Sequence, residues 1–558
     1  MCLDGAGPEV VRVASGNTIS RFPDTNRHPG RAVTPTWASF ATPTRETWNP
    51  ASPVPVTRTP GASTMTNPFV RDDRAGQPPA AQEGRGAERQ GPMRPQTAVN
   101  SRFFPCPHSQ SPTLKHTSTF RKRHYSIING ENPSSTYPQK TVATRTTLPI
   151  PLCAILSAMK KSTFANMVIA QSGGPSMVIN QSLVGAVLAA RAKGVGTKIG
   201  KILGARHGIA GILGRDYVDL RKVDEKKLLA IAETPSSALG SCRLKPTADD
   251  CRKIFEEFKR LKVGYFFYIG GNDSADAARI VAEEAEKDGY PLVCYHIPKT
   301  IDNDLRSCDH TPGFGSAARF VASAIKGDDL DNRALGGVKI DIIMGRDAGF
   351  LTAASALART NKDDGPHLIY LPERPFSLDG FVVDVQAAMK KFGRCVVAVS
   401  EGIRDEKGES IGAKFAGGEK DSHGNVQMSG TGALGDYLAK HLKQNAGVKR
   451  VRADTFGYLQ RSFPGIASKI DQKEGRAAGA AAVKAALAGK LTKGTIAIVR
   501  KPGKKYAVAF EPQPIANAAK YTRSVPDTFI AANGHDVTKA FLDYARPIVG
   551  ELPKCEIL

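Results

Sequence analysis

From residue 164 onward the sequence predicts an α/β protein with mostly parallel sheets, on three observations. Short apolar runs rich in Val, Ile, Tyr and Phe alternate with segments of helical period, as parallel strands joined by crossover helices require. Glycines and carboxylates directly follow several of the strand-like runs. The patterned stretch is about 400 residues long, which suits two α/β domains better than one.

Met167-Val168-Ile169-Ala170 reads as the first strand and residues 178–192 as its helix. Tyr265-Phe266-Phe267-Tyr268-Ile269 is a second strand, residues 276–287 the helix after it, and residues 292–297 a third strand. Asp341-Ile342-Ile343-Met344, His367-Leu368-Ile369-Tyr370 and Cys395-Val396-Val397-Ala398-Val399 continue the series. Gly173-Gly174, Gly270-Gly271-Asn272-Asp273, residues 299–304, Gly345-Arg346 and Glu401-Gly402 each come straight after a strand. Open parallel sheets bind ligands at the carboxyl ends of their strands. A tight turn explains any one of these segments, but five in succession point to one binding site.

The first 158 residues are different: they hold 21 of the 37 prolines, both tryptophans (Trp37 and Trp48), and 15 Arg against 3 Lys. No helical or strand period is sustained there, and such a segment buries too little apolar surface to offset its conformational entropy. Residues 1–158 are therefore expected to be disordered. An Arg- and Ser-rich transit peptide is one alternative, although acidic residues are scattered throughout. A start of the natural protein at Met159, immediately before the first strand, is the other.

The formal charge of +24 divides into +9 in this segment and +15 in the remainder. No nucleic-acid-binding signature accompanies it, so anionic small substrates, not nucleic acid, are the expected partners. The apolar stretch at 148–159 is too short to span a bilayer and carries two prolines, which argues against a membrane. Nine cysteines with no C-x-x-C pair favour free thiols and a cytoplasmic location.

Pro298-Lys299-Thr300-Ile301-Asp302-Asn303-Asp304 follows a strand and carries two carboxylates two residues apart. In an extended segment alternate side chains share a face, so Asp302 and Asp304 can enter one site. One could take a proton while the other holds a cation. Ser172-Gly173-Gly174-Pro175-Ser176 lies between a strand and a helix start, where free N–H groups can receive phosphate, but it lacks the Gly-Lys-Ser/Thr ending of a Walker loop. Gly270-Gly271-Asn272-Asp273-Ser274 repeats the device with a carboxylate inserted, and Asp273 could equally cap the helix.

Together these motifs resemble the phosphofructokinase family, specifically its pyrophosphate-dependent branch, from about residue 164 to about residue 547. The resemblance implies two Rossmann-like three-layer domains with a cleft between them. Residues 159–312 and 462–515 would form the phosphoryl-donor domain, and 313–461 and 516–558 the fructose 6-phosphate domain. Asp302 would be the general base toward the sugar 1-hydroxyl, Thr300 would touch the reacting end, and Asp304 with Asp273 would hold Mg2+. Met344-Gly345-Arg346 is similar to the family's Met-Gly-Arg signature, whose arginine stabilises the transferring phosphoryl group. Glu401 resembles its sugar-hydroxyl ligand. Arg452, Tyr458 and Arg461 resemble the segment that grips the 6-phosphate, and Gly174 and Arg243 would face the donor. The implied reaction is reversible, serves glycolysis or gluconeogenesis, and is carried out by a homodimer or homotetramer.

The branch that uses ATP typically has Gly where this chain has Asp273 and Lys299. A carboxylate at 273 would repel a nucleotide's inner phosphate, while an ammonium at 299 could neutralise a short polyphosphate. Three departures from the family pattern stand out: Asn272 in place of an Asp, Gly315 in place of an acidic residue, and Lys339 where an arginine often reaches across from a second subunit. The alternatives are an ATP-dependent 6-phosphofructokinase and a non-catalytic regulatory subunit of the same fold.

Overall fold

The computed structural model describes residues 166–193, 198–415 and 430–557. The disorder expected of residues 1–158 and the start at Met159 lie outside the described residues. Eleven strands follow in chain order: β1 (Asn166–Gln171), β2 (Ile202–Ala205), β3 (Tyr217–Asp219), β4 (Val263–Gly270), β5 (Val293–Pro298), β6 (Gly337–Ile343), β7 (Leu368–Tyr370), β8 (Arg394–Ser400), β9 (Val451–Thr455), β10 (Lys493–Arg500) and β11 (Val508–Pro514). They form a seven-stranded sheet in the order β11-β10-β5-β4-β1-β2-β3 and a four-stranded sheet in the order β7-β8-β6-β9. The four-stranded sheet is parallel throughout. In the larger sheet only the edge strands β3 and β11 run antiparallel to their neighbours.

The six strands read from sequence are present, with β7 beginning at Leu368 and β6 ending at Ile343. The five that were not read include β9, whose Val-Arg-Ala-Asp-Thr composition gives no apolar run. Interior strands are buried on both faces, which is why β8 is apolar nearly end to end and every residue of it is buried.

Helices cover both faces of each sheet. On one face of the seven-stranded sheet, helix Ile179–Arg191 packs with helix Lys469–Leu487 around Leu183, Val187, Ala478 and Ala482. Their backbones approach closely: a Cβ on Gly185 would lie 2.0 Å from the Arg476 carbonyl oxygen, and one on Gly479 2.0 Å from that of Ser182. Helices Ala248–Leu261 and Asn272–Lys287 fill the opposite face with Ile254, Phe258, Ala278 and Val281. The smaller sheet is sandwiched between helix Phe314–Leu335 on one side and helices Leu378–Phe392 and Ala433–Asn445 on the other. Each sheet is thus the middle of three layers, as expected. Among the described residues no helix is long and apolar enough to cross a membrane.

Candidate active site

The carboxyl ends of the two sheets border one cleft of about 460 Å³. From the larger sheet come the turns after β1 (Ser172, Gly173, Gly174), β4 (Gly271, Asn272, Asp273) and β5 (Lys299, Thr300, Asp302, Asp304). From the smaller sheet come Met344, Arg346 and Asp347 after β6, Glu401 after β8, and Tyr458 and Arg461 after β9. Arg243 and Leu244 form a further wall. Five separate segments read from sequence therefore meet in one place.

The turn after β5 is where the sequence argument needs correcting. Asp302 and Asp304 do both line the cleft, but not because the segment is extended: β5 ends at Pro298 and Asn303 is left-handed, with φ of 61°. Short polar side chains tolerate that conformation when local hydrogen bonds hold it. Here Asn303 is fully buried, its Oδ1 accepting from the Thr311 N–H at 3.1 Å and its Nδ2 donating to the Tyr544 hydroxyl at 2.8 Å. The Arg523 guanidinium adds a bond to the Asn303 carbonyl at 2.8 Å, and the Arg523 N–H one to the Asp304 carbonyl at 2.8 Å.

Lys299 is 3% exposed, and its Nζ donates to the Gly174 carbonyl at 2.6 Å, tying the β5 turn to the β1 loop. Burial first, then the Arg461 charge, lowers its pKa to about 8. Both aspartates move the other way. Burial, reinforced by the Glu401 charge, raises the Asp302 carboxyl above its ordinary range, and burial with the Asp302 charge raises Asp304. A buried carboxylate with a raised pKa is suited to general-base work near neutrality.

Asp304 Oδ1 is buried with no hydrogen-bond partner, as are the Nε atoms of Arg346 and Arg461. An orphaned carboxylate oxygen fits a cation and orphaned guanidinium N–H groups fit an anion, since buried polar groups are otherwise paired. The helix beginning at Asn272 has Gly271, not Asp273, at its N-cap, with no side-chain cap. Asp273 is thus not occupied as a cap; it is exposed in the first turn and faces the cleft.

The Met-Gly-Arg segment is fixed from both sides. Ser400 Oγ donates to the Gly345 carbonyl at 2.6 Å, and the Gly345 N–H reaches Glu401 Oε1 at 3.5 Å. Gly345 has φ of 143°, a region that favours glycine. Gln460, which sequence reading passed over, is fully buried and accepts from the Met344 N–H at 3.3 Å, joining this segment to the Tyr458–Arg461 turn. The Arg461 guanidinium lies 4.3 Å from the Tyr458 ring centre, and a Cβ on Gly174 would come within 3.0 Å of Arg461 Nη1. On the side of the larger sheet Ser241 Oγ donates to the Gly173 carbonyl at 2.6 Å and Ser172 Oγ to the Cys242 carbonyl at 3.0 Å, which holds the Arg243 loop against the glycine loop.

Arg452, expected beside Arg461, does not line the cleft of its own chain. It sits within β9, exposed, in register with Lys339 on β6, and both border a separate groove with Arg450 and Asp454. Residues beyond a strand's carboxyl end reach the cleft; Arg452 precedes the end of β9 at Thr455, whereas Arg461 follows it. Lys339 is held by ion pairs to Asp328 at 3.2 Å and to Asp454. Three further residues at the site were not read from sequence. Lys520 and Thr522 line the cleft, and His296, fully buried, bonds the Gly270 carbonyl at 2.8 Å and Thr495 Oγ1 at 2.9 Å. Burial lowers the His296 pKa to about 4, so it supports the β4 turn as a neutral ring.

Cationic side chains and paired carboxylates gathered at the carboxyl ends of two mostly parallel sheets are the site of an α/β phosphotransferase. The family profile described as Phosphofructokinase matches residues 166–486. This chain belongs to the phosphofructokinase family. It is 56% identical over 385 residues to a pyrophosphate--fructose 6-phosphate 1-phosphotransferase of Rhodospirillum rubrum, a match covering 69% of this chain and 94% of that protein. A protein of the same description from Xanthomonas campestris pv. campestris is 38% identical over 401 residues, covering 70% of this chain and 93% of the relative. Among solved structures, the pyrophosphate-dependent phosphofructokinase of Nitrosospira multiformis superposes with a TM-score of 0.63 at 33% identity, over 71% of this chain and 94% of that one.

Proposed function

We propose that this protein transfers a phosphoryl group reversibly from inorganic pyrophosphate to the 1-hydroxyl of fructose 6-phosphate, giving fructose 1,6-bisphosphate and phosphate. The observation that carries the donor is the buried Lys299 ammonium anchored on the Gly174 carbonyl, with Asp273 lining the same cleft from the neighbouring turn after β4. An ammonium there neutralises the end of a short diphosphate, and a carboxylate at 273 opposes the longer nucleotide chain. The two relatives above carry names that specify the same donor and acceptor.

In this reading the seven-stranded part, residues 159–312 and 462–515, binds the donor, and residues 313–461 and 516–558 bind the sugar phosphate. Asp302 takes the proton of the 1-hydroxyl as it attacks; its raised pKa leaves it basic enough to do so. Arg346 and Lys299 stabilise charge on the transferring group. Thr300, Met344, Gly345 and Glu401 orient the sugar, Tyr458 and Arg461 hold its 6-phosphate, and Gly174 and Arg243 contact the donor. Asp304 and Asp273 would hold Mg2+, which supplies charge neutralisation at the phosphates when bound; the orphaned Asp304 Oδ1 supports that assignment.

The active form is a homodimer or homotetramer. Because Lys339 stands where the family often has an arginine that reaches a second subunit and Arg452 stands beside it on the neighbouring strand, Arg452 would serve a neighbouring copy's sugar phosphate in place of its own. Free thiols at six described cysteines support a cytoplasmic setting. Phosphorus NMR tests the reaction. Pyrophosphate, fructose 6-phosphate and magnesium should give fructose 1,6-bisphosphate and phosphate, and the reverse mixture should regenerate pyrophosphate. Absence of exchange in both directions would sink the proposal.

A further inference from the structure

The segment 518–523, which the motifs do not include, contributes Lys520 and Thr522 to the cleft wall. Ala518 and Ala519 are buried against Ala275, in the first turn of the helix that begins at Asn272 and Asp273. Three residues beyond Ala519, Thr522 pairs with Leu305 in an antiparallel bridge, and Arg306 Nε donates to the Thr522 carbonyl at 2.9 Å. The Arg523 N–H then bonds the Asp304 carbonyl at 2.8 Å. The segment is therefore pinned at one end to the helix that carries Asp273 and at the other to the turn that carries Asp302 and Asp304.

Between these anchors Lys520 adopts a left-handed backbone, with φ of 69°, and lines the cleft with Arg243, Asn272 and Asp273. A lysine is an unfavourable choice there, because its Cβ crowds the following carbonyl where glycine or asparagine would not. Strain of this kind at a cleft is a pointer to function. Lys520 also makes no ion pair or hydrogen bond among the described residues. Although Lys520 falls within the stretch 516–558 assigned above to the sugar-phosphate part, its segment packs on the helix that carries Asp273, whereas the sugar-side residues Met344, Glu401 and Arg461 follow strands of the other sheet.

We propose that Lys520 is a donor-specificity residue, binding the outer phosphate of the inorganic diphosphate, the one that departs as phosphate. This rests on the donor reading above. The ammonium is a compact point charge that can follow a small, mobile anion, and the rigid segment sets its reach. In the reverse reaction the same contact receives inorganic phosphate as substrate.

The test compares the full-length protein with Lys520→Gly, which keeps the left-handed backbone permissible, and Lys520→Arg, which keeps the charge. Lys520→Gly should raise the KM for pyrophosphate by about tenfold, the loss expected for one charge-assisted contact, with the KM for fructose 6-phosphate unchanged. Lys520→Arg should recover most of the affinity. Calorimetric titration of magnesium pyrophosphate into each protein, without the sugar phosphate, reads binding apart from turnover. Unchanged binding in Lys520→Gly beside normal wild-type turnover overturns the Lys520 assignment alone. Weakened binding in Lys520→Gly, with a wild type that does not turn pyrophosphate over, supports the assignment and overturns the donor reading alone.

Discussion

The Asn303 side chain donates to the Tyr544 hydroxyl at 2.8 Å, so a residue of the C-terminal helix holds the left-handed turn that aims Asp302 and Asp304 into one cleft. That hydroxyl in turn donates to the Asp309 carbonyl at 2.7 Å. The Asp309 carbonyl also accepts from the Arg523 guanidinium at 2.7 Å, so the Asn303 amide is the group that depends on this hydroxyl.

Tyr544→Phe removes both bonds and keeps the ring. It should cost about 1–3 kcal/mol of stability, the penalty for leaving the buried Asn303 amide unpaired, while the Asp309 carbonyl keeps its bond from the Arg523 guanidinium at 2.7 Å. Turnover should fall further than KM rises, since the aspartates lose alignment before substrate loses its anchors. Thermal unfolding and steady-state kinetics on the same preparation check both parts.

Asp302→Asn should lower kcat by about a hundred- to ten-thousandfold, the range for loss of a general base. It should not lower thermal stability near neutral pH. Burial already disfavours the charged carboxylate, as the raised pKa records, and a neutral amide escapes that cost. A variant that loses activity only because it melts earlier would contradict this division.

Lys299 gives the pH dependence its alkaline limb. Its folded pKa is lowered to about 8, chiefly by burial, so the ammonium is present below that pH and disappears as pH rises through it. Donor-limited kcat/KM should fall across the same interval. The linkage has the opposite sign for stability: the unfolded lysine keeps its proton to higher pH, so the buried charge costs stability at neutral pH and the cost fades as pH rises. Lys299→Met should accordingly be inactive with pyrophosphate yet melt no lower than the wild type at neutral pH.

Asp273→Gly combined with Lys299→Gly should admit ATP. The pair removes the exposed carboxylate at the helix start and the ammonium that would lie 3.3 Å from a Cβ on Gly173, opening the donor side. Competition of ATP against pyrophosphate in both proteins checks it; a variant that loses pyrophosphate activity without gaining ATP would count against the steric and electrostatic account.

Much of the site was legible because its residues stand in short strand-to-turn motifs. Gly174, Asp273, Lys299, Asp302 and Arg346 each follow an apolar run that announces its own strand. What escaped has no local signal. Lys520, Thr522 and Arg523 come from an irregular segment whose partner, the turn at 303–306, lies more than 200 residues earlier; the Arg306 to Thr522 bond alone spans 216 positions. Gln460 and His296 act through buried hydrogen bonds that composition does not reveal. That Arg452 lies outside its own chain's cleft was not legible, because spacing to Arg461 says nothing about which of the two lies beyond the end of β9. The convergence of Asp302 and Asp304 was anticipated on the wrong geometry, since only a folded chain shows Asn303 in a left-handed turn.

The most direct measurement is a coupled assay of the full-length protein with fructose 6-phosphate and magnesium, comparing pyrophosphate with ATP as donor, alongside Asp302→Ala. Turnover with pyrophosphate and not ATP, abolished in Asp302→Ala, is the predicted result. Turnover with ATP alone, or pyrophosphate turnover that survives the loss of Asp302, would contradict the account.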